Sequence, residues 1–174
     1  SANVLGRAGV ELRHSLPGVG RNLHDHLQVR SVYKTRPGVL TLNDEVSSWP
    51  RKGLAGAQYM LRGTGPLSMA ASVACVFAKT KVCTGDAPDV QFHFQPLSAT
   101  TSQVGGASLD PFSAVTSSVC QLRPKSRGTV EIASADPAAH PKLHANYLSH
   151  EDDQRCVVEA MRLSRRICRD SPRM

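Results

Sequence analysis

The sequence has 174 residues, 40% of them apolar, which is enough to form the core of one domain of ordinary size. Its net charge is +7, but the basic residues are spread along the chain and the aromatic residues, 5% of the total, are not interleaved with them, which argues against a nucleic-acid surface. No stretch is apolar over the length of a membrane span, and no basic-then-apolar signal peptide stands at Ser1. The chain lacks an initiator Met, so we expect an internal piece of a longer protein.

The cysteines are odd in number and form no C-x-x-C pair, so they indicate neither a disulfide framework nor a zinc site. Most of them stand in apolar runs. We therefore expect reduced, buried thiols and a cytoplasmic protein, and peripheral association with the inner membrane stays open.

In chain order, residues 2–8 predict a short helix, and residues 10–14 alternate apolar and polar side chains as a strand does. A glycine-rich turn follows in residues 16–26. Residues 27–34 alternate again and predict a half-buried strand.

The middle of the chain predicts one helix and several strands. Residues 49–61 have helical spacing, with Pro50 tolerated in the first turn. Strands are predicted over residues 72–79, 90–94, 115–122 and 129–133. The last two are joined by a turn-rich connection, so we expect them to form a hairpin.

Residues 98–108 are rich in Ser, Thr and Gly and predict a mobile loop. This loop is either a lid over a binding site or a surface loop without a role in binding. The closing helix has Ser149 as its expected N-cap, with Asp152 completing a capping box, and an apolar stripe that begins at Cys156. Its dense basic run, from Arg162 to Arg169, predicts either a solvated face or a face that contacts the missing part of the protein.

Strands and helices in this order, without a repeated strand-helix alternation, predict an α+β fold with a largely antiparallel β-sheet flanked by helices.

The glycine-rich turn, residues 16–26, runs directly into a polar cluster. Gly18 and Gly20 permit backbone conformations closed to other residues, which suits a tight turn or a close approach to a ligand. Without a third glycine, this is no dinucleotide fingerprint. His24 and His26 would share one face of an extended segment, but no third ligand is near in sequence and we predict no metal site. A purely structural turn that enters a strand stays an alternative.

One predicted strand places Gln91, His93 and Gln95 on one face and Phe92 and Phe94 on the other. Such a polar row either lines a substrate cavity or is the solvated face of a half-buried sheet. No nucleophile, base and orienting group occur together in the sequence, so we assign no catalytic residue.

Residues 16–26 resemble the LPGVGxNLxDH segment of glucose-methanol-choline (GMC) oxidoreductases, flavoenzymes that oxidise alcohols. Further motifs similar to this family's follow in the family's order, in residues 41–43, 62–67, 88–96, 122–128 and 146–148. The likeness extends to about Ile167 and has the character of the choline-dehydrogenase-like branch.

The resemblance implies an incomplete GMC substrate-binding domain with FAD as the cofactor. Residues 1–26 would be a remnant of the FAD-domain side and linker, residues 27–169 the substrate-binding domain, and residues 170–174 an atypical tail. The main FAD-binding segment would precede Ser1, and the catalytic His motif would follow the point that corresponds to about Arg169. We therefore expect the missing FAD-domain portions as a partner.

The resemblance also implies that Asn22, Asp25 and His26 lie against the flavin, since the same stretch does so in the family without a metal. This chain has His24 where Gln is usual, so no contact is carried over for that position. Gln28 stands where choline-oxidising relatives are expected to have an acidic residue, which would suit a quaternary ammonium group. The chain thus resembles an alcohol-oxidising relative more than an enzyme for choline itself.

We therefore expect part of an FAD-dependent enzyme that transfers hydride from a small-molecule alcohol to the flavin, inactive as this piece alone. Gln28, His93 and Gln95 are the expected substrate-binding residues. The alternative is a non-catalytic binding or interaction domain derived from the same fold. Neither nucleic acid nor a transmembrane segment is expected.

Overall fold

The computed structural model describes residues 2–102 and 106–171. Within these ranges the chain forms four α-helices, which are α1 (Ala2–Arg7), α2 (Leu42–Glu45), α3 (Trp49–Arg62) and α4 (Glu151–Asp170). It also forms eight strands, which are β1 (Gln28–Lys34), β2 (Ala74–Ala78), β3 (Val90–Gln95), β4 (Ala99–Ser102), β5 (Gly106–Leu109), β6 (Ala114–Gln121), β7 (Thr129–Glu131) and β8 (Lys142–His144).

The main sheet has the strand order β1-β6-β3-β2, and every pair in it is antiparallel. Two small antiparallel pairs, β4 with β5 and β7 with β8, stand outside it. The α+β fold with a largely antiparallel sheet, predicted from the order of the elements, is confirmed.

Helix α4 covers one face of the main sheet and forms the core with it. Phe92, Val90 and Val119 of the sheet are almost fully buried, and they pack against Cys156 and Ala160 of the helix. Burying side chains of this size contributes about 1.5–3 kcal/mol for each large one, so this contact is the main apolar source of stability.

Hydroxyl groups continue the contact between α4 and the sheet. Ser164 donates a hydrogen bond of 2.8 Å to the Ser117 hydroxyl, and its oxygen lies 3.1 Å from the Tyr33 hydroxyl. Ser117 and Ser164 are fully buried. Because buried hydroxyls must be paired, these bonds fix the position of α4 along β1 and β6.

The first turn of α4 differs from the sequence expectation at one residue. The helix begins at Glu151, and His150, not Ser149, is its N-cap: the His150 ring nitrogen Nδ1 accepts a hydrogen bond from the Asp152 amide. The acidic first turn is present as expected and lies at the positive end of the helix dipole.

Asp153, in that same turn, is 1% exposed and holds the connection between β6 and β7. Its carboxylate accepts hydrogen bonds from the Lys125 amide at 2.8 Å, the Ser126 amide at 2.7 Å and the Ser126 hydroxyl at 2.5 Å. Burial would raise the pKa of Asp153, but the Lys125 amide and the two Ser126 groups outweigh it, so the pKa lies below its ordinary value. The carboxylate is therefore an ionised buried anchor.

The predicted hairpin of β6 with β7 is wrong. β6 pairs with β1 and β3, whereas β7 pairs with β8. The connection carries the right turn residues, but β6 lies between β1 and β3, so neither of its edges is free for β7. Asp153 binds the amides of the connection, which leaves the main sheet.

The N-terminal part contains one wrong prediction and one confirmed feature. Residues 10–14 form no strand, because no neighbouring strand in the described structure supplies partners for their backbone groups. In the glycine-rich turn, Gly20 has φ +75°, and a Cβ built on it would lie 2.3 Å from the Val130 carbonyl oxygen. Only glycine permits this close approach of two backbone segments.

Residues 98–108, predicted as a mobile loop, contain β4 and β5 as an antiparallel pair, while residues 103–105 lie outside the described residues. Ser98 is fully buried, and the Asn43 side chain satisfies its backbone by bonding both its amide and its carbonyl group. Residues 172–174 of the expected tail also lie outside the described residues.

Two surface features complete the fold. Helix α3 presents Trp49, Met60 and Leu61 at 85%, 83% and 83% exposure. In the part of the chain that the structure describes, no helix combines the length and apolar character needed to cross a membrane.

Replacing Asp153 by Asn should lower the free energy of unfolding by about 2–3 kcal/mol, because bonds to a buried charged acceptor are lost. Asp152→Asn, in the same turn but partly exposed, is the matched control and should have little effect. The Asp153 pKa is lower in the folded state, so its contribution is complete above the unfolded value of about 3.9 and is lost as the pH falls through the folded value. Urea titrations across the acid range should therefore show the difference between wild type and Asp153→Asn shrinking below about pH 4. Equal free energies of unfolding for wild type and Asp153→Asn at neutral pH would contradict the role of Asp153 as an anchor.

The exposed apolar side chains of α3 should make the 174-residue chain self-associate. We expect the sedimentation coefficient to rise with protein concentration, and the double variant Met60→Gln/Leu61→Gln to reduce this rise. Leu40→Gln, which removes a similarly exposed leucine elsewhere, is the control. A monomer at every concentration would contradict this prediction.

Candidate functional site

The face of the main sheet opposite α4 gathers the predicted polar row. In β3, Phe92 is fully buried and Phe94 packs against the core, while Gln91, His93 and Gln95 point away from α4 and are half-buried. The alternation predicted from the sequence is therefore confirmed. Since α4 occupies only the apolar side, the polar row belongs to an open face of the sheet.

Strand register brings Gln28 to the same face. Gln28 and Gln91 are both cross-strand neighbours of Cys120, so they stand on either side of it. Arg30 and His93 flank Ser118 in the same way. The three predicted substrate-binding residues Gln28, His93 and Gln95 therefore share one surface.

This surface is a trough with a floor of small side chains. The floor is β6, with Ala114, Thr116, Ser118 and Cys120, all at most 4% exposed. One wall is β1, with Gln28, Arg30, Val32 and Lys34, and the other is β3, with Gln91, His93 and Gln95. Neighbouring strands lie about 4.8 Å apart, so the walls are separated by roughly 10 Å.

The floor contains one polar group without a partner. The Thr116 hydroxyl donates to the Leu97 carbonyl oxygen at 2.8 Å. Ser118 is 1% exposed, and its hydroxyl has no hydrogen-bond partner among the described residues. Ser117 next to it faces α4 and bonds Ser164, so alternation places the Ser118 hydroxyl on the trough side. An unpaired buried hydroxyl is uncommon and marks a place for a ligand or a water molecule.

The trough carries positive charge and no built-in anion. Strands β1, β2, β3 and β6 lie wholly within the described residues and contain no Asp or Glu. Arg30 is exposed on the wall, whereas the Lys34 ammonium lies 4.4 Å from the centroid of the Phe112 ring at the strand end. Burial raises the pKa of the Cys120 thiol, so the floor stays uncharged there.

The cysteine expectation is correct for three of the five. Cys120, Cys156 and Cys168 are buried free thiols, but Cys83 is half-buried and Cys75 is exposed on the edge strand β2. The apolar run around Cys75 misled the prediction, because an edge strand without a covering element leaves its side chains in solvent.

The three predicted flavin-side residues lie together just before β1. Leu23 exchanges both backbone hydrogen bonds with Gly128, at 3.0 and 2.9 Å, and thereby fixes the segment. Asn22 has φ +58° and is exposed. The His26 ring nitrogen Nε2 lies 3.3 Å from the Leu122 carbonyl oxygen.

Asp25 forms hydrogen bonds within this segment and to a residue distant in sequence. It accepts hydrogen bonds from the Tyr147 hydroxyl and, at 2.8 Å, from the His26 amide. These two bonds hold the pKa of Asp25 below its ordinary value, and the Asp25 carboxylate raises the pKa of Tyr147.

The residues described contain no cluster of three or more His, Cys, Asp or Glu side chains suited to a metal ion.

Arg30, Ser118 and Tyr147 were missed by the sequence interpretation. Arg30 could have been found, because it stands two residues after Gln28 on an alternating strand. Ser118 gave no local signal, and the motif in residues 146–148 did not assign Tyr147 a role. Only the strand register and the long-range contact with Asp25 bring these two residues to the site.

Comparison with known proteins finds a family model described as GMC oxidoreductase, which matches residues 124–173. An oxygen-dependent choline dehydrogenase of Vibrio vulnificus is 37% identical over 164 residues, covering 94% of this chain and 28% of that protein. The enzyme of the same name from Photobacterium profundum is 35% identical with the same coverage. The chain thus spans 28% of the length of these curated relatives.

Solved structures share the fold. A crystal structure of formate oxidase superposes with a TM-score of 0.82 at 21% identity, covering 95% of this chain and 33% of the other. An FAD-dependent oxidoreductase from Chaetomium thermophilum gives a TM-score of 0.73 at 16% identity, covering 99% and 35%.

The unpaired hydroxyl on the trough floor should make two neighbouring serines respond in opposite directions. Ser118→Ala should raise the free energy of unfolding by about 1 kcal/mol, since it removes an unsatisfied buried group, whereas Ser117→Ala should lower it by a similar amount. Denaturant titration of both variants checks this. Equal destabilisation by both substitutions would mean that Ser118 is paired within the chain.

Proposed function

The chain belongs to the GMC oxidoreductase family, and on this premise we propose that it is the substrate-binding part of an FAD-dependent enzyme that oxidises an alcohol. The observation that carries the proposal is the trough, on whose face Gln28, His93 and Gln95 all lie, spread along its length. Its polar walls and its unpaired Ser118 hydroxyl suit a small polar ligand.

The proposal assigns the parts of the chain as follows. Residues 27–169 form the substrate-binding domain, with the main sheet and α4 as its core. Residues 1–26 belong to the FAD-domain side, and residues 170–174 to a separate tail. The Leu23 and Gly128 pairing supports the first boundary, because it attaches the flavin-side segment just before β1 begins.

FAD would accept the hydride that leaves the carbinol carbon of the alcohol. The exposed Asn22 amide fits this cofactor as a hydrogen-bond donor, since its own chain leaves it facing solvent. Asp25 and His26 bond Tyr147 and the Leu122 carbonyl group, so in our proposal they hold the segment in place against the flavin. Arg21, exposed beside Asn22, adds a positive charge on the same side.

The trough residues would bind and orient the alcohol. The Gln28 and Gln95 amides can donate to and accept from a hydroxyl group, and the His93 ring can do the same through its two nitrogens. This chain offers no base that we assign to the hydroxyl proton. The catalytic group then belongs to sequence outside this chain, and the chain alone would be inactive.

The curated relatives are named for choline, which makes small alcohols the substrate class to test first. We also propose a cytoplasmic location, because all five cysteines are free thiols. Peripheral association with the inner membrane stays a part of that proposal to be tested by fractionation.

The test uses the full-length protein that carries this chain. We expect flavin absorbance, release of FAD on denaturation, and dye-linked oxidation of small alcohols. His93→Ala should lower kcat/KM by roughly five- to tenfold, the value of one hydrogen bond. His140→Ala, at an exposed loop position, is the control and should leave kcat/KM unchanged.

The outcomes separate the two function classes. A full-length protein without bound FAD or alcohol oxidation would contradict the enzyme and favour the non-catalytic binding domain. Bound FAD with unchanged kcat/KM in His93→Ala would keep the enzyme and remove His93 from its substrate site.

A further inference from the structure

One row across the trough combines a cation, an unpaired hydroxyl and an imidazole. Arg30 of β1 and His93 of β3 are the cross-strand neighbours of Ser118 on either side. Directly opposite side chains in such pairs have Cβ atoms about 5 Å apart, so long side chains on both walls reach over the central position. The row therefore places a cation and an imidazole within reach of the space above Ser118.

Ser118 supplies the buried part of this row. It is 1% exposed, and its hydroxyl has no partner among the described residues. Its floor neighbour Thr116, in contrast, has a hydrogen-bond partner. A buried hydroxyl can donate one hydrogen bond, and leaving it unpaired destabilises the protein. A ligand that accepts a hydrogen bond above the floor would satisfy it.

The charge of the row selects the kind of acceptor. Arg30 is permanently charged, and its planar guanidinium group matches the two oxygens of a carboxylate. The four strands of the sheet contribute no Asp or Glu to compete for it. A quaternary ammonium group in the same place would meet a like charge and a hydroxyl donor, which are both unfavourable.

We propose that the alcohol oxidised by this enzyme carries a carboxylate, and that Arg30, Ser118 and His93 bind it. This inference rests on the proposed function. Arg30 pairs with the carboxylate, Ser118 donates to it from the floor, and His93 donates from the opposite wall.

The sheet also sets the length of the substrate. Same-face positions along a strand are about 7 Å apart, so the row of Gln28 and Gln91 lies about 7 Å from the row of Arg30 and His93. Gln28 stands two residues after His26, on the side where we propose the flavin. A hydroxyl held by the first row and a carboxylate held by the second correspond to an ω-hydroxy acid of about four or five carbons.

The test compares three alcohols of similar length in the flavin-loaded full-length protein: 4-hydroxybutanoate, butan-1-ol and choline. We expect kcat/KM to be roughly tenfold or more higher for 4-hydroxybutanoate than for butan-1-ol, the effect of hydrogen bonds to a charged group. Arg30→Gln should abolish this preference by lowering kcat/KM for 4-hydroxybutanoate to the value for butan-1-ol. Arg165→Gln, an exposed arginine of α4 on the other side of the sheet, is the charge-matched control and should keep the preference.

A second measurement separates ligand binding from folding. Calorimetric titration with butanoate, which lacks the reacting hydroxyl, should give weaker binding for Ser118→Ala than for wild type, while the Tm of Ser118→Ala without ligand rises. If Ser118 had only a structural role, Ser118→Ala would lower both the Tm and the affinity for butanoate.

The results distinguish the two proposals. Bound FAD with oxidation of butan-1-ol or choline, but no preference for 4-hydroxybutanoate, would overturn the carboxylate site and leave the proposed function intact. A protein without FAD and without alcohol oxidation would overturn the proposed function, and the carboxylate site with it.

Discussion

The arrangement of the site depends on the buried carboxylate of Asp153. It accepts hydrogen bonds from the Lys125 and Ser126 amides and so holds the chain where it leaves the main sheet after β6. Gly128, two residues later, pairs with Leu23. That pairing fixes the segment immediately before β1, which contains Asn22, Asp25 and His26. One ionised side chain in the first turn of α4 therefore links the helix, the sheet and the segment we propose to meet the cofactor. Its burial is tolerated because all its bonds come from well-placed donors.

A second constraint is the division of the sheet into two faces. The side under α4 is apolar and closely packed, and it supplies the stability. The other side has small residues on the central strand and longer polar residues on its neighbours, so it can hold a ligand without disturbing the core. Ser118 shows how the two demands differ, because its unpaired hydroxyl is unfavourable for folding and, in our proposal, donates to the ligand. Local departures from good folding rules of this kind are expected at functional sites.

The relatives share the fold but do not fix the substrate. The curated proteins are named for choline, a cation, while a solved neighbour is named for formate, an anion. A shared fold does not imply a shared function, so the substrate has to be argued from the side chains of this chain. In this chain the wall residues are neutral or positive, and the neutral Gln28 agrees with that character.

The sequence by itself determined which residues form strands and helices and which side of β3 is polar, because hydrophobic periodicity is local information. It also indicated the family through motifs spread along the chain. It did not determine strand partners: the connection after β6 has the residues of a hairpin, but β1 and β3 occupy both edges of β6. The residue that begins α4, the anchoring of Ser98 by Asn43, and the placement of Arg30 and Ser118 beside His93 likewise depend on contacts between segments far apart in sequence. Such contacts are decided by packing and hydrogen bonding of the whole domain, so only the tertiary structure could bring the trough together.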